Sequence, residues 1–287
     1  MRTRKTWSVP VFLVPVFLFL AACATPTQKS TGLERMYVIN CGENHVKDVS
    51  RWTPGVNVGQ AHVFSNYCYL IKHAKGWMLW DTGNADRLAA MPNGLSVAGG
   101  AITAFMKKPL VDSLKEIGVA PADIKHFAMS HAHGDHSGNA NLFTGATLYV
   151  QRPEYAAMFG PESQKFGFIS TNYDKLRASP AMIIDGDYDV FGDGTVTIKA
   201  APGHTPGHQV LVVRLPKTGP VILSGDMVHL QYSWTYRIAP SFNFDVPQSM
   251  ATIDAMKAYA KETGAQLWIN HDLEQNAKVP KAPAFVQ

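Results

Sequence analysis

Apolar side chains between residues 35 and 80 come in short dense runs rather than at helical spacing, which predicts strands. The first is Arg35-Met36-Tyr37-Val38-Ile39. Residues 41–62 lack a period and contain Pro54 and Gly55, so they predict a long loop. Tyr67–Lys72 and Trp77–Trp80 flank Ala74-Lys75-Gly76, the pattern of a hairpin. Asp81-Thr82-Gly83 ends its second arm, and the Gly- and Asn-bearing stretch 84–100 predicts a loop. Leu110, Leu114 and Ile117 recur at helical spacing and predict a helix over 101–117, closed by Gly118. Ile124–Met129 and Thr147–Val150 predict strands, and Pro153–Phe159 a short helix with Pro near its start. Residues 160–180 show no period; Phe166, Phe168, Ile169 and Tyr173 there suit either a lid or packing on the core. Five strand-like runs follow: Ala181–Ile184, Tyr188–Phe191, Thr195–Ala200, Gln209–Leu215 and Val221–Ser224. A helix is predicted over Gln248–Glu262, with Met250, Ile253, Met256 and Lys257 on one stripe and Gly264 beyond its end. Gln266–Asn270 is the last strand, and the whole reads as an α/β domain with mixed sheets.

The first 22 residues do not belong to that domain. Arg2, Arg4 and Lys5 precede Val9–Leu20, an apolar run too short for a membrane span and broken by Pro10 and Pro15. That is the pattern of an export signal. Leu20-Ala21-Ala22-Cys23 resembles a bacterial lipoprotein cleavage box, in which the Cys becomes the lipidated first residue. An ordinary signal cut near Ala22-Cys23-Ala24 is the alternative. The organisation expected is a signal over 1–22, a small polar tether over 23–33 and a domain over 34–287. The expected location is periplasm-facing, at a membrane through Cys23, with Ala24 favouring the outer one. Of the formal charge of +4, the leader's Arg2, Arg4 and Lys5 supply three, which leaves +1 from Cys23 onward. A chain so nearly neutral offers no electrostatic footprint for nucleic acid. Cys41 and Cys68 could pair in an oxidising compartment, but Cys68 lies in a buried-strand pattern and reads better as a packed thiol.

The chemistry gathers in Ser130-His131-Ala132-His133-Gly134-Asp135-His136. Residues two apart in an extended segment point the same way, so His131 and His133 can converge on one ion. Asp135 and His136 sit where the chain turns and can address a second. Imidazole and carboxylate suit zinc, and also iron, cobalt or manganese. Three later segments, each at the end of a strand-like run, carry the same residue types. They are Pro202-Gly203-His204-Thr205-Pro206-Gly207-His208, Ser224-Gly225-Asp226 and Asn270-His271-Asp272.

In this order the four segments resemble the metallo-β-lactamase superfamily, and the resemblance implies its αββα sandwich. It implies two divalent metal ions, most simply zinc: one on His131, His133 and His204, the other on Asp135, His136 and His271, with Asp226 between them. It also implies that a hydroxide shared by the ions attacks an electrophilic carbonyl or phosphoryl centre. Asp81 resembles the aspartate that braces the His loop, and His208 a neighbour of the ligands rather than a ligand. Segments outside the metal motifs are similar to those of N-acyl-homoserine lactonases, among them Trp80-Asp81-Thr82-Gly83, Gln151-Arg152-Pro153-Glu154-Tyr155 and His271-Asp272-Leu273-Glu274-Gln275. The implied activity is opening of the lactone ring, as in quorum quenching, with Asp135, Asp226 and His229 closest to the chemistry. The implied substrate is a small ester or lactone, and the family allows a homodimer. Two positions depart from the common pattern. His229 stands three residues after Asp226, where many such enzymes have a Tyr touching the substrate carbonyl, and an imidazole N–H can take that role. Gly134 stands where Phe is common and removes an apolar wall. Phosphotriesterases and arylesterases share the fold and form the main alternative. The likeness to β-lactamases is opposed by Asp226, and that to redox di-iron relatives by His133 in place of Glu. A metal-binding lipoprotein without catalysis is opposed by the full ligand set.

Overall fold

The layering follows from the alternation of side chains across the first strand, β1 (Leu33–Val46). Met36 and Val38 point into one apolar cluster, Tyr37 and Ile39 into another. The same division runs through β2 (His62–His73) and β3 (Gly76–Trp80): Tyr69, Ile71, Met78 and Trp80 on one side, Leu70 and Leu79 on the other. A sheet whose two faces are both apolar must be covered on both. Residues 32–287 and 1–6 are described by the structure, a computed structural model. Residues 7–31, which hold the apolar run of the expected signal, Cys23 and most of the expected tether, lie outside the described residues. The chain divides into a unit over Met1–Ser30 and a unit over Thr31–Gln287, and the fold is that of the second.

Five further strands and three helices complete the first half. They are β4 (Leu95–Val97), β5 (Ile102–Phe105), α1 (Leu110–Ile117), β6 (Ile124–Ala128), α2 (Gly134–Ser137), β7 (Thr147–Gln151), α3 (Arg152–Phe159) and β8 (Ala181–Ile184). The eight strands form one mixed sheet in the order β4-β5-β1-β2-β3-β6-β7-β8. The second half holds β9 (Tyr188–Asp189), β10 (Val196–Ala200), β11 (Gln209–Leu215), β12 (Gly219–Leu223), α4 (Gln231–Tyr236), α5 (Val246–Thr263), β13 (Gln266–Trp268) and α6 (Leu273–Asn276). Its sheet runs β13-β12-β11-β10-β9. Leu211, Val213, Val221 and Leu223 meet the Met36–Trp80 cluster between the sheets. Val210, Val212 and Ile222 point the other way, onto Ile253 and Met256 of α5. Leu110 and Leu114 of α1 and Met158 of α3 cover the outer face of the first sheet. The result is the αββα sandwich. Among the described residues no helix is long and apolar enough to cross a membrane.

Strand direction positions the site. β3, β6 and β7 run parallel, and so do β12 and β13. β10 is antiparallel to β11, which is antiparallel to β12, so β10 shares the direction of β12. The residues after β3, β6, β10, β12 and β13 carry Asp81, the His loop, His204, Asp226 and His271, the strand ends where open α/β sheets bind ligands.

Several expectations need correction. β1 does not stop at Ile39 but continues to Val46, across an irregularity in its pairing with β2 between Asn40 and Glu43. That longer strand lies beside β2 and brings Cys41 next to Cys68; the two are joined as a disulfide, with Cα atoms 5.8 Å apart. Cys68 is therefore not a free packed thiol. The stretch 84–105 contains two short antiparallel strands, β4 and β5, where a loop and the start of a helix were expected. The helix begins only at Leu110, after Pro109, because Asp86 accepts the Leu110 amide at 2.7 Å and caps it there. Residues 160–180 form a series of single turns. Phe168, Tyr173 and Leu176 from it are buried in the outer core, whereas Gly167 and Ile169 line a cavity, so it packs and walls at once. α4 and α6 have no counterpart in the sequence reading.

Candidate metal centre

His131, Ala132 and His133 leave β6 in an extended stretch, and the two rings converge as the spacing requires: His131 Nε2 lies 2.9 Å from His133 Nδ1. His204, from the turn after β10, brings its Nε2 to 3.0 Å from the same His133 nitrogen. The far side of each ring says where its proton sits. His133 Nε2 is 2.8 Å from the Phe166 carbonyl, which can only accept, so Nε2 carries the hydrogen and Nδ1 presents a lone pair. His204 Nδ1 is 2.9 Å from Asn243 Oδ1 and donates to it. Ser130 gives its hydroxyl proton to Asp81 Oδ2 at 3.1 Å and so accepts from His131 Nδ1 at 3.1 Å. Three imidazole lone pairs thus face one another inside the protein. Burial pushes His131 well below the ordinary histidine range and His133 down to about 4, so protons do not relieve this crowding near pH 7. A cation does, and metal-binding histidines are oriented in this way by what their other nitrogen meets.

A second group lies against the first. His136 Nδ1 is 3.0 Å from Asp81 Oδ2, and His271 Nδ1 donates to the Ser65 carbonyl at 2.7 Å. Their Nε2 atoms come within 3.0 Å and 2.9 Å of Asp226 Oδ1. Asp135 Oδ2 lies 3.9 Å from His136 Nε2 and 3.7 Å from His271 Nε2, steadied by a 2.8 Å hydrogen bond from Asn44. The other oxygen of Asp226, Oδ2, lies 3.3 Å from His204 Nε2 and 3.8 Å from His131 Nε2. One carboxylate therefore offers one oxygen to each group. His136 Nε2 and Asp226 Oδ1 are buried and lie 3.0 Å apart without forming a hydrogen bond, and among the described residues neither has a hydrogen-bond partner. Orphaned atoms of that kind call for an explanation, and a bound cation supplies it. Burial alone would raise the Asp226 carboxyl, but His271 and His136 outweigh it and hold it well below the usual carboxylate range. Burial likewise opposes charge on His136 and His271, and the carboxylates of Asp226 and its neighbours overcome it and raise both. Positive charge is stabilised where the two groups meet. Nitrogen and oxygen donors in groups of three and four fit divalent transition metals.

The remaining residues singled out in the sequence fall into place around this centre. Asp81 accepts the Ser130 amide at 2.6 Å and braces the His loop together with His136. His208 is fully buried, and both its nitrogens are taken: Nδ1 donates to the Ala201 carbonyl at 3.1 Å and Nε2 accepts the Asp226 amide at 2.9 Å. It stands behind Asp226 and has no lone pair left for an ion. His229 Nε2 lies 3.0 Å from Asp226 Oδ2, and among the described residues its Nδ1 has no partner. Burial holds this ring down at about 4, so it is neutral with a single N–H. The carboxylate claims that hydrogen, which leaves Nδ1 unable to donate to a substrate carbonyl. Gly134 opens space that Ile169 fills: a Cβ there would lie 2.7 Å from Ile169 Cδ1.

Residues that the sequence reading passed over also shape the site. Asn44, Asn243 and the carbonyls of Ser65 and Phe166 orient ligands, and Glu154 ties the ligand loops together. The two groups open on a cavity of about 470 Å³. Trp52, Phe64, Leu88, Leu95, Ile102 and Ile169 give it largely apolar walls.

Comparison with known proteins agrees with this geometry. The model of the metallo-beta-lactamase superfamily matches residues 62–263. An N-acyl homoserine lactonase, AttM, of Azorhizobium caulinodans is 34% identical over 226 residues, covering 76% of this chain and 85% of the relative. The N-acyl homoserine lactonase AiiA of Bacillus thuringiensis subsp. kurstaki is 29% identical over 264 residues, covering 88% and 99%. The solved structure of an N-acyl homoserine lactone hydrolase, with the product N-hexanoyl-L-homoserine at its catalytic metal centre, superposes with a TM-score of 0.78 at 27% identity, over 88% of this chain and 99% of that one. The chain belongs to the metallo-β-lactamase superfamily and, within it, to the family of the N-acyl homoserine lactonases.

Proposed function

We propose that this chain is a metal-dependent hydrolase that opens the lactone ring of N-acyl homoserine lactones. The observation that carries the reading is the sharing of Asp226 between two converging ligand groups that open on an apolar cavity. Two divalent ions, zinc by the chemistry of the donors, held by His131, His133 and His204 and by Asp135, His136 and His271 with Asp226 shared, would supply Lewis acidity and a water activated near neutral pH. The chain supplies the rest. The walls around Leu88, Leu95 and Ile102 take an acyl chain out of water, at about 0.8 kcal/mol per methylene buried. Asn44 keeps the Asp135 carboxylate turned toward His271, and His229 keeps Asp226 in place. Ile169 stands beside Gly134 as an apolar side of the cavity.

The test is turnover of a panel of N-acyl homoserine lactones, aryl phosphotriesters, aryl esters and β-lactams, with the metal in each preparation quantified. The lactones are expected to have the highest kcat/KM. A preference of ~100-fold or more for phosphotriesters or aryl esters would replace this reading with the esterase alternative, and hydrolysis of β-lactams alone would overturn it.

The leader supports an exported protein, lipidated on Cys23 and facing the periplasm, with the outer membrane favoured. A single acyl chain binds a membrane only marginally, so firm attachment needs the several chains of a bacterial lipoprotein. The full chain is expected in the membrane fraction, and Cys23→Ser is expected to release it or leave it uncleaved. Recovery of the wild type solely from soluble periplasm would exclude the anchor.

A further inference from the structure

Glu154 is a carboxylate that the reaction does not use, and it is only 2% exposed. It sits in the first turn of α3, outside both ligand groups. Its Oε1 accepts the Ala132 amide at 3.0 Å. Its Oε2 accepts the Thr205 hydroxyl at 2.8 Å and the Gly207 amide at 2.9 Å. Ala132 lies between His131 and His133, and Thr205 follows His204. One side chain thus grips both segments that deliver the first group's three imidazoles, the group whose nitrogens approach to 2.9 and 3.0 Å. The approach is close enough to require glycine at 207, where a Cβ would lie 2.3 Å from the Glu154 amide nitrogen. The second group, Asp135, His136 and His271, is steadied by other partners: Asn44, Asp81 and the Ser65 carbonyl.

We infer that Glu154 is a positioning residue for the first metal site alone, setting the register of the His131–His133 loop against the His204 turn. The inference rests on the two-metal reading of the centre. Burying a carboxylate is costly, and it is tolerated here because three donors face it. Glu154→Gln keeps the size but has a single acceptor oxygen. If that oxygen stays with Thr205 and Gly207, the amide nitrogen faces the Ala132 N–H, and the donors oppose each other. Partners of this kind typically tune metal affinity by about 10–100-fold.

The experiment measures ions retained per chain after dialysis of zinc-loaded protein against a graded chelator, with folding followed by circular dichroism. The wild type is expected to hold two ions. Glu154→Gln should hold one under conditions where the wild type holds two, with first-site affinity reduced about 10–100-fold. Added to Asp135→Ala, which weakens the second site, it should leave the protein with none. Added to His131→Ala, which weakens the first, it should change little. Thr205→Val removes only one of the three donors and should shift the same affinity in the same direction by less, which covers the case that Glu154→Gln does not fold. Equal weakening of both sites, or two ions held with wild-type affinity in both Glu154→Gln and Thr205→Val, would overturn the inference. Fewer than two ions on the wild type would overturn the two-metal reading, and the inference with it.

Discussion

Asp226→Ala is expected to abolish hydrolysis and to leave the protein unable to hold two ions. Of the residues in the two groups, Asp226 is the one that turns an oxygen to each: Oδ1 meets His136 and His271, and Oδ2 meets His204 and His131. Removal of one donor to a developing oxyanion costs about 10²–10³ in kcat. A group serving both ions should cost more, at least ~10³-fold. Alanine at 226 also leaves several buried imidazoles crowded without the negative charge that compensates them. His208→Ala is the companion variant. It takes away the acceptor of the Asp226 amide but no ligand nitrogen, so both ions should remain. Two ions at wild-type occupancy in Asp226→Ala would contradict the assignment of the bridge. Loss of an ion from His208→Ala would mean that the wrong histidine of the Pro-Gly-His pair has been chosen.

His229→Ala carries the second-largest expected effect. From its position after Asp226, an N–H aimed at the substrate carbonyl was expected. The structure directs Nε2 to Asp226 Oδ2 at 3.0 Å, with the ring stacked on His271 at 5.4 Å between centroids. A neutral ring has one hydrogen, and the carboxylate oxygen is the acceptor within reach. The outcome expected of His229→Ala is therefore metal binding weakened about 10–100-fold, with turnover falling in step at limiting metal and recovering in excess metal. A carbonyl donor would behave otherwise: kcat reduced by ~10² or more at any metal concentration, with affinity for metal unchanged. Chelator competition and kcat at saturating zinc, measured on the same variant, separate the two. Unchanged affinity with a lasting loss of kcat would return His229 to the substrate.

The residues that converge at the centre were legible in the sequence because their types are rare, they cluster, and each cluster ends a strand. His131 and His133 could be paired from the two-residue period alone. The strands of the two inner layers were legible as dense apolar runs, since Leu70, Leu79, Val212 and Ile222 are buried whichever face they take. What escaped depends on distant chain segments meeting. Whether Cys41 pairs with Cys68 turns on how far β1 runs along β2, and nothing local to Cys41 reveals that. β4 and β5 are three and four residues long in a Gly-rich stretch, too short for alternation to stand out. The start of α1 is set by Asp86, 24 residues upstream. Glu154 looks like an ordinary acidic residue in a first helical turn, and only the fold brings three donors to it. The proton on each imidazole is set by whatever its other nitrogen meets, Ser130 for His131, the Phe166 carbonyl for His133, Asn243 for His204 and Asp226 for His229. Only the fold makes those pairings, so the role of His229 could be posed from sequence but not settled there.

The most direct test of the central claim is a metal titration of the metal-free protein, with the opening of an N-acyl homoserine lactone followed by the acid it releases. The account predicts that activity appears as the chain fills toward two zinc ions and stops rising at two. Full activity at one ion per chain, or lactone opening undiminished in the metal-free protein, would contradict it.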